Sequence, residues 1–234
     1  MHLKGPNLPL SALLVTLGLA IAVLWLMVRL TQAGQTRAAA RARYFAAVAG
    51  MFTAVVVRVE PSGFARMSGV WNGVRFDLQA VPDTLTFRKL PALWVLVTLT
   101  EPVAIATELH IMARPGQSDV FSTFDKMPAS VALPDGFPEF CALRCLNASG
   151  LPDQAVMMDQ APLFAGGLVK ELVISPKGLR LVILAEEADR GAYLLFREAE
   201  MGRQPLTPAR LLPLLQALLK LHTDLDSAQE RAHD

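Results

Sequence analysis

An uncharged apolar run near the N-terminus constrains this chain more than any other feature. From Leu8 to Val28 there is no charged residue, and Arg29 is the first charge that follows. At 1.5 Å per residue, a helix over these roughly 21 residues spans about 31 Å, close to the hydrocarbon core of a bilayer. Trp25 and Arg29 lie near its end, where an aromatic ring and a cation are typical of the headgroup boundary. The run predicts a transmembrane helix within residues 1–30.

A cleaved signal peptide is the competing interpretation, because the small residues Ala38, Ala39 and Ala40 follow the run. The run is longer than the apolar region of a signal peptide, which has about 7–15 residues. Arg29 and Arg37 also stand before any such cleavage site. We therefore expect an anchor that is retained and contacts the lipid bilayer.

The basic residues that flank the run predict its orientation. Lys4 alone precedes it, whereas Arg29, Arg37, Arg41 and Arg43 follow it. Cytoplasmic flanks of membrane helices carry the excess of lysine and arginine. We expect a single-pass protein of a bacterial inner (cytoplasmic) membrane, with the N-terminus outside and the C-terminal domain in the cytoplasm. Two cysteines in the whole chain suit a reducing compartment.

The anchor and the segment after it contain the residues that we expect to contact the membrane or a partner. Gly18 and Ala22 are four residues apart, a small-residue pair that would let a neighbouring helix approach closely, although an ordinary lipid-facing surface has the same composition. Residues 31–52 are rich in alanine and arginine and predict a basic juxtamembrane helix, either an orienting stalk or a lipid sensor. The expected contact residues are Gly18, Ala22, Trp25, Arg29, Arg37, Arg41 and Arg43.

Residues 53–226 predict one α+β domain with a mostly antiparallel sheet. Apolar and β-branched runs predict strands at 53–59, 64–70, 74–81, 85–87, 94–100, 107–114, 168–175, 179–185 and 192–196. Asn72-Gly73 between two of them is a strong hairpin signal, and Pro176-Lys177-Gly178 between two later strands predicts a second hairpin. The proline-rich stretch 115–152 is expected to be a loose connection and 153–164 a helix.

A leucine-rich helix is expected to close the domain. Thr207 and Pro208 suit its first positions, and the helix should run to about Asp224, with Pro213 kinking it or delaying its start. Leucine covers more than half of its circumference, so it must be buried on the sheet or against a partner. Residues 227–234 are expected to form a polar tail that frays.

Candidate catalytic residues are few. His110 lies in a predicted strand two residues from Glu108, which could orient it as a base, although a solvated or partly covered sheet face is the more ordinary place for it. Cys141 and Cys145 would share a face in a helix or a strand, but they lack the C-x-x-C spacing of a redox pair. The sequence shows no nucleotide-binding, metal-binding or hydrolase motif. We assign no catalytic, cofactor-binding or metal residue and expect no cofactor.

These observations favour a function through contacts with other proteins. Beyond Glu60 the chain is mildly acidic on balance, which argues against nucleic-acid binding, since that needs a dense basic face. We expect an accessory, scaffold or assembly subunit of a larger inner-membrane complex, such as a respiratory or photosynthetic one. A membrane-tethered ligand-binding or sensory domain is the first alternative, and an enzyme using His110 or the cysteines is the second.

Overall fold

The computed structural model describes residues 10–84, 90–116, 119–191, 193 and 201–233. The chain divides into two compact units, residues 1–39 and residues 40–234. The first unit is helical throughout its described part. The second contains the sheet, the remaining helices and the hydrophobic core.

Helix α1 (Leu10–Ala42) begins in the first unit and has 33 residues. Its leucine and alanine content favours the helix, and its large apolar side chains between Leu13 and Leu30 are exposed. The helical segment Ser11–Ala49 is long and apolar enough to cross a membrane, with none of its most apolar window buried, and is a candidate span on those grounds. The helix predicted for residues 31–52 is present as the end of α1 and as α2 (Ala46–Ala49), with a turn between them.

The second unit is built on one nine-stranded sheet in which every pairing is antiparallel. Its strands follow the order β1-β2-β3-β4-β9-β8-β5-β7-β6. They are β1 (Thr53–Val59), β2 (Ala65–Trp71), β3 (Val74–Asp83), β4 (Ala92–Leu99), β5 (Leu109–Ala113), β6 (Ala129–Val131), β7 (Cys141–Cys145), β8 (Val169–Ser175) and β9 (Gly178–Glu187). This sheet with its few helices agrees with the predicted α+β class.

Two predicted hairpins are present. Asn72 and Gly73 join β2 to β3 with positive φ angles of 49° and 80°, which is the backbone that an Asn-Gly turn favours. Strands β8 and β9 meet at the pair Ser175–Gly178. Gly178 has a φ of 145°, and a Cβ there would collide with the Leu99 carbonyl oxygen, so this turn requires glycine.

The stretch 115–152 is more ordered than the sequence predicts. It contains β6 and β7 and a short 3-10 helix (Phe124–Lys126), because β7 lies between β5 and β6 and completes the far side of the sheet. The expectation of a loose connection is wrong there. The helix expected at 153–164 is two short helices, α3 (Gln154–Met158) and α4 (Ala161–Ala165), since the chain turns at Asp159 and Gln160.

Two of the predicted strands lie wholly or mostly outside the described residues. The strand at 85–87 lies outside the described residues. The strand at 192–196 also lies outside them except at Tyr193, which is helical and donates its amide to the Asp189 carbonyl at 2.9 Å.

The long C-terminal helix α5 (Pro208–His233) packs on one face of the sheet, over β4 and β9. Its fully buried leucines recur at helical spacing and join the core: Leu211, Leu215, Leu218, Leu221 and Leu225. The prediction of a buried helix is confirmed. The helix continues past its expected end near Asp224 as far as His233, and the tail expected to fray is helical there. Ala228 explains part of this, because it still packs against the core.

Candidate functional site

A row of directly paired residues crosses the sheet on the face opposite α5. Alternation along β3, β4 and β9 sends Leu78, Val97 and Leu181 into the core, so their neighbours in sequence face the other way. Following the cross-strand partners from β1 to β6 gives the row Val56, Ser68, Asp77, Thr98, Arg180, Val173, His110, Arg144 and Ser130. Seven of these side chains are polar, which is unusual for the middle of a sheet.

A buried cluster of ionisable side chains lies along this row at β5 and β8. The His110 Nδ1 atom is 2.8 Å from the Glu171 Oε1 atom, and the His110 Nε2 atom is 2.9 Å from the Glu108 Oε1 atom. The hydroxyl of Ser122 forms a short hydrogen bond with Glu171 Oε1. His110 and Glu171 are only 2% and 1% exposed. The imidazole is therefore held on both sides by carboxylates.

This arrangement favours the charged form of the imidazole. Burial lowers the pKa of His110, but hydrogen bonds and charge attraction from Glu171 and Glu108 outweigh that effect and raise it above its usual value. An imidazolium can donate from both ring nitrogens, which matches two carboxylate acceptors. The predicted pairing of His110 with Glu108 is present, and Glu171 is a partner that the sequence did not reveal.

The expectation of a solvated or partly covered face at His110 is wrong, because both faces of β5 are buried. The segment 119–126 covers the second face. Its Phe121 ring lies 4.9 Å from the ring of Trp94, and its Ser122 bonds Glu171. The guanidinium carbon of Arg144 lies 5.3 Å from the centre of the Phe124 ring. Nothing in the local pattern of β5 indicates a cover supplied by a distant segment.

A cavity of about 230 Å³ adjoins the cluster. Glu108, His110, Ser122, Glu171, Lys177 and Arg180 are among the residues that line it. The second carboxylate oxygen of Glu171 is buried without a hydrogen-bond partner among the described residues. Within the described ranges, no set of three histidine, cysteine or acidic side chains is arranged to hold a metal ion.

The two cysteines lie at opposite ends of β7. Four residues of extended strand separate their Cα atoms by about 13 Å, whereas a disulfide requires less than about 7 Å. Burial raises the pKa of Cys141, against a smaller opposite effect of Arg114, and burial also raises the pKa of Cys145. Both side chains therefore favour the thiol, which is the less reactive form. At this separation the two cysteines cannot form a disulfide with each other.

The expected membrane-contact residues fall into two groups. Gly18, Ala22, Trp25 and Arg29 are exposed on α1, and the Arg29 guanidinium lies 5.3 Å from the centre of the Trp25 ring. Arg37 is half-buried and Arg43 is exposed.

Arg41 lies apart from these residues, inside the second unit. Its guanidinium lies 5.4 Å from the centre of the Phe64 ring, and its Nε atom is buried. Arg41 therefore contributes to the packing of the domain, a role that its four-residue spacing from Arg37 did not indicate.

Strand β1 is one edge of the sheet, β6 being the other, and it has valines on both of its faces. Val56, Val57 and Val59 are 63%, 51% and 57% exposed, and they follow a shift of register between Thr53 and Val56 in the pairing with β2. Strand β2 occupies one side of β1, and no described strand pairs with the other side. The sequence predicted this strand correctly but did not indicate that it would form an open edge.

No protein-family model, no curated protein and no solved structure matches this chain.

Proposed function

We propose that this chain is a membrane-anchored accessory or assembly subunit of a larger inner-membrane complex, and that it binds a partner subunit through β1. The partner contributes an extended apolar segment that adds to the sheet beside β1. The observation that carries this proposal is the open, valine-rich edge of the sheet.

The edge of β1 has the chemistry of a strand-addition site. An edge strand presents unpaired amide and carbonyl groups, which give a partner strand its affinity through main-chain hydrogen bonds. Proteins usually protect such edges with charged residues, proline or β-bulges. Strand β1 has one charged residue, Arg58, and an irregularity between Thr53 and Val56, and the exposed valines follow that irregularity. Arg58 is itself engaged with Glu60 at 2.8 Å. A partner that covers Val56, Val57 and Val59 would remove exposed apolar surface at about 25 cal/mol per Å².

A membrane subunit suits this edge better than a freely diffusing protein. The candidate span of the first unit would confine the domain to the bilayer, where a partner that is also anchored meets β1 at a high effective concentration. Gly18 and Ala22 on the exposed surface of α1 would let a helix of the same partner pack closely. The contact at β1 and the helix contact at Gly18 and Ala22, each modest alone, then combine into one stable association.

The test compares valines of similar exposure at different places. Val57→Lys places a charge on the edge strand, whereas Val120→Lys changes a 46% exposed valine in a loop. After purification in several mild detergents, the wild type and Val120→Lys should carry the same membrane protein in constant proportion, and Val57→Lys should lose most of it. Equal recovery with Val57→Lys would refute the proposal. Recovery of every form as a monomer, or only as a dimer of this chain, would refute it as well.

For the location of this contact, we propose the cytoplasmic side of the membrane. Four arginines follow the apolar run against one lysine before it, and the positive-inside rule then orients the domain inward. Fusion of a fluorescent protein that matures only in the cytoplasm should give a fluorescent product. Alkaline phosphatase at the same position should be inactive, and an active phosphatase with a dark fluorescent fusion would reverse the orientation.

A membrane-tethered ligand-binding domain is a second candidate function. The observation that favours it is a concave polar region on the face of the sheet opposite α5, beside the row that contains Asp77, Thr98 and Arg180. The two functions are compatible, because β1 and this concave region offer different surfaces.

A further inference from the structure

The open part of the polar sheet face encloses a cavity of about 640 Å³. This volume is within the range of small-molecule sites. The residues that line it are Arg66, Ser68, Arg75, Phe76, Asp77, Thr98, Thr100, Glu101 and Arg180. Three guanidinium groups and three hydroxyl groups therefore border one concave surface.

Two of the arginines are fixed so that they converge. The Arg66 Nε atom bonds both carboxylate oxygens of Asp77, at 2.9 and 3.0 Å. The Arg180 Nε atom donates to the Thr98 hydroxyl at 3.1 Å. Asp77 and Thr98 are direct cross-strand partners, so their Cβ atoms are only about 5 Å apart. Arg66 from β2 and Arg180 from β9 thus lean toward each other over one pair of residues.

This anchoring leaves the outer ends of both guanidinium groups available. Each arginine uses its Nε atom on the sheet, and the described residues give the terminal amino groups of Arg66 and Arg180 no acceptor. Such a pre-oriented fork matches two oxygens of an oxyanion and loses little side-chain entropy on binding.

The charge of the cavity also favours an anion. Asp77 is neutralised by Arg66, and the Glu101 carboxylate accepts from the Arg75 amide at 3.3 Å. Arg180 contacts a hydroxyl group and has no carboxylate partner in the described part of the chain. The lining has three arginines against two acidic residues, which leaves a net positive charge at the base of a concave surface.

We propose that this cavity binds a phosphate group between Arg66 and Arg180, with Ser68 and Thr98 supplying hydroxyl contacts. Converging arginines and hydroxyls suit the several oxygens of a tetrahedral phosphate. The phosphate belongs either to a soluble phosphorylated molecule or to a lipid headgroup, since both carry the same group. This inference does not depend on the partner proposed for β1, because none of the three valines exposed on β1 lines the cavity.

The test measures binding to the full chain in detergent at constant ionic strength. Inorganic phosphate is the probe for a soluble ligand, and mixed micelles containing phosphatidic acid are the probe for a headgroup. Saturable binding is expected, and Arg180→Gln and Arg66→Gln should each weaken it by about tenfold or more. Arg180→Lys keeps the charge but loses the fork, so it should give an intermediate loss. Cooperative urea unfolding of each variant checks that it is folded.

The matched control is Arg231→Gln, which removes an exposed arginine of α5, the helix on the opposite face of the sheet. It should change the dissociation constant by less than about twofold, because exposed charges contribute little to a distant site. Binding of free phosphate that needs Arg180 supports a soluble ligand, and binding of phosphatidic acid alone that needs Arg180 supports a headgroup. Absence of saturable binding to either probe overturns the proposal. Equal weakening by Arg231→Gln, which indicates general surface charge, overturns it as well.

Discussion

At the scale of single residues, His110 and Glu171 are ionisable groups that are costly to bury. Moving an imidazolium and a carboxylate out of water costs several kcal/mol each, and their attraction repays this only with good geometry and further hydrogen bonds. The contacts of Glu108 and Ser122 with this pair supply those bonds. Removal of one partner leaves the other charge buried without compensation.

The first prediction compares the two carboxylates that hold His110. Glu171→Gln neutralises a side chain that is 1% exposed and should lower the free energy of unfolding by about 3 kcal/mol or more. Glu108→Gln neutralises one that is 32% exposed and should cost about 1 kcal/mol or less. Urea unfolding followed by tryptophan fluorescence measures both. Equal costs for the two variants would contradict the buried cluster.

The second prediction concerns pH. The pKa of His110 is raised in the folded protein relative to its unfolded value of about 6.5. Its stabilising contribution is therefore fully present below about pH 6.5 and disappears as the pH rises through the higher folded pKa. The difference in unfolding free energy between the wild type and His110→Gln should shrink across that interval. A difference that grows with pH would mean that His110 is buried in its neutral form.

Only part of this cluster is visible in the sequence. Glu108 and His110 are two residues apart, so a strand places them on one face, and the sequence indicated that pair. Glu171 is 61 residues further along the chain and meets His110 only through the pairing of β5 with β8. Ser122 comes from a stretch that shows no strand or helix period. Tertiary partners of this kind follow from strand order, which local patterns do not determine.

At the scale of elements, the helix α5 contributes five buried leucines to the core. Its buried leucines contact the sheet, while Leu212 on the same helix is 38% exposed. The helix also tolerates an internal proline, Pro213, close to its first turn, where few internal hydrogen bonds are lost.

The third prediction uses two leucines of α5. Leu215→Ala should lower the unfolding free energy by about 2–5 kcal/mol, because it leaves a cavity in the core. Leu212→Ala makes the same chemical change at a partly exposed position and should cost markedly less, about 1 kcal/mol. Denaturant unfolding of the full chain in mild detergent gives both values. A similar loss in the two variants would show that α5 does not pack as described.

Elements with a strong local signal were predicted well, and those that depend on their neighbours were not. The Asn72-Gly73 hairpin and α5 have clear turn and helix patterns. Strands β6 and β7 lie among prolines, and β7 includes Arg144, so an isolated pattern gives little indication of a strand. Pairing with β5 stabilises β7 regardless of that weak propensity.

At the scale of the whole molecule, the sequence indicated two functional parts, an apolar helix and an α+β domain, and the structure contains both. It did not indicate which strand would form the open edge, because exposure depends on the complete strand order. The valines of β1 have the pattern of a buried strand, and 63% exposure of Val56 contradicts that pattern. A strand that is apolar in sequence but exposed in the structure is expected where a surface binds a partner.

Site-specific photocrosslinking from β1 tests this account most directly. A photoreactive residue in place of Val57 should crosslink one membrane protein in living cells, and the same residue in place of Val120 should not. Peptide mapping should locate the crosslink in an extended apolar segment of that protein. A crosslink only to lipid or to a second copy of this chain, or equal products from positions 57 and 120, would contradict the proposal that β1 binds a partner subunit.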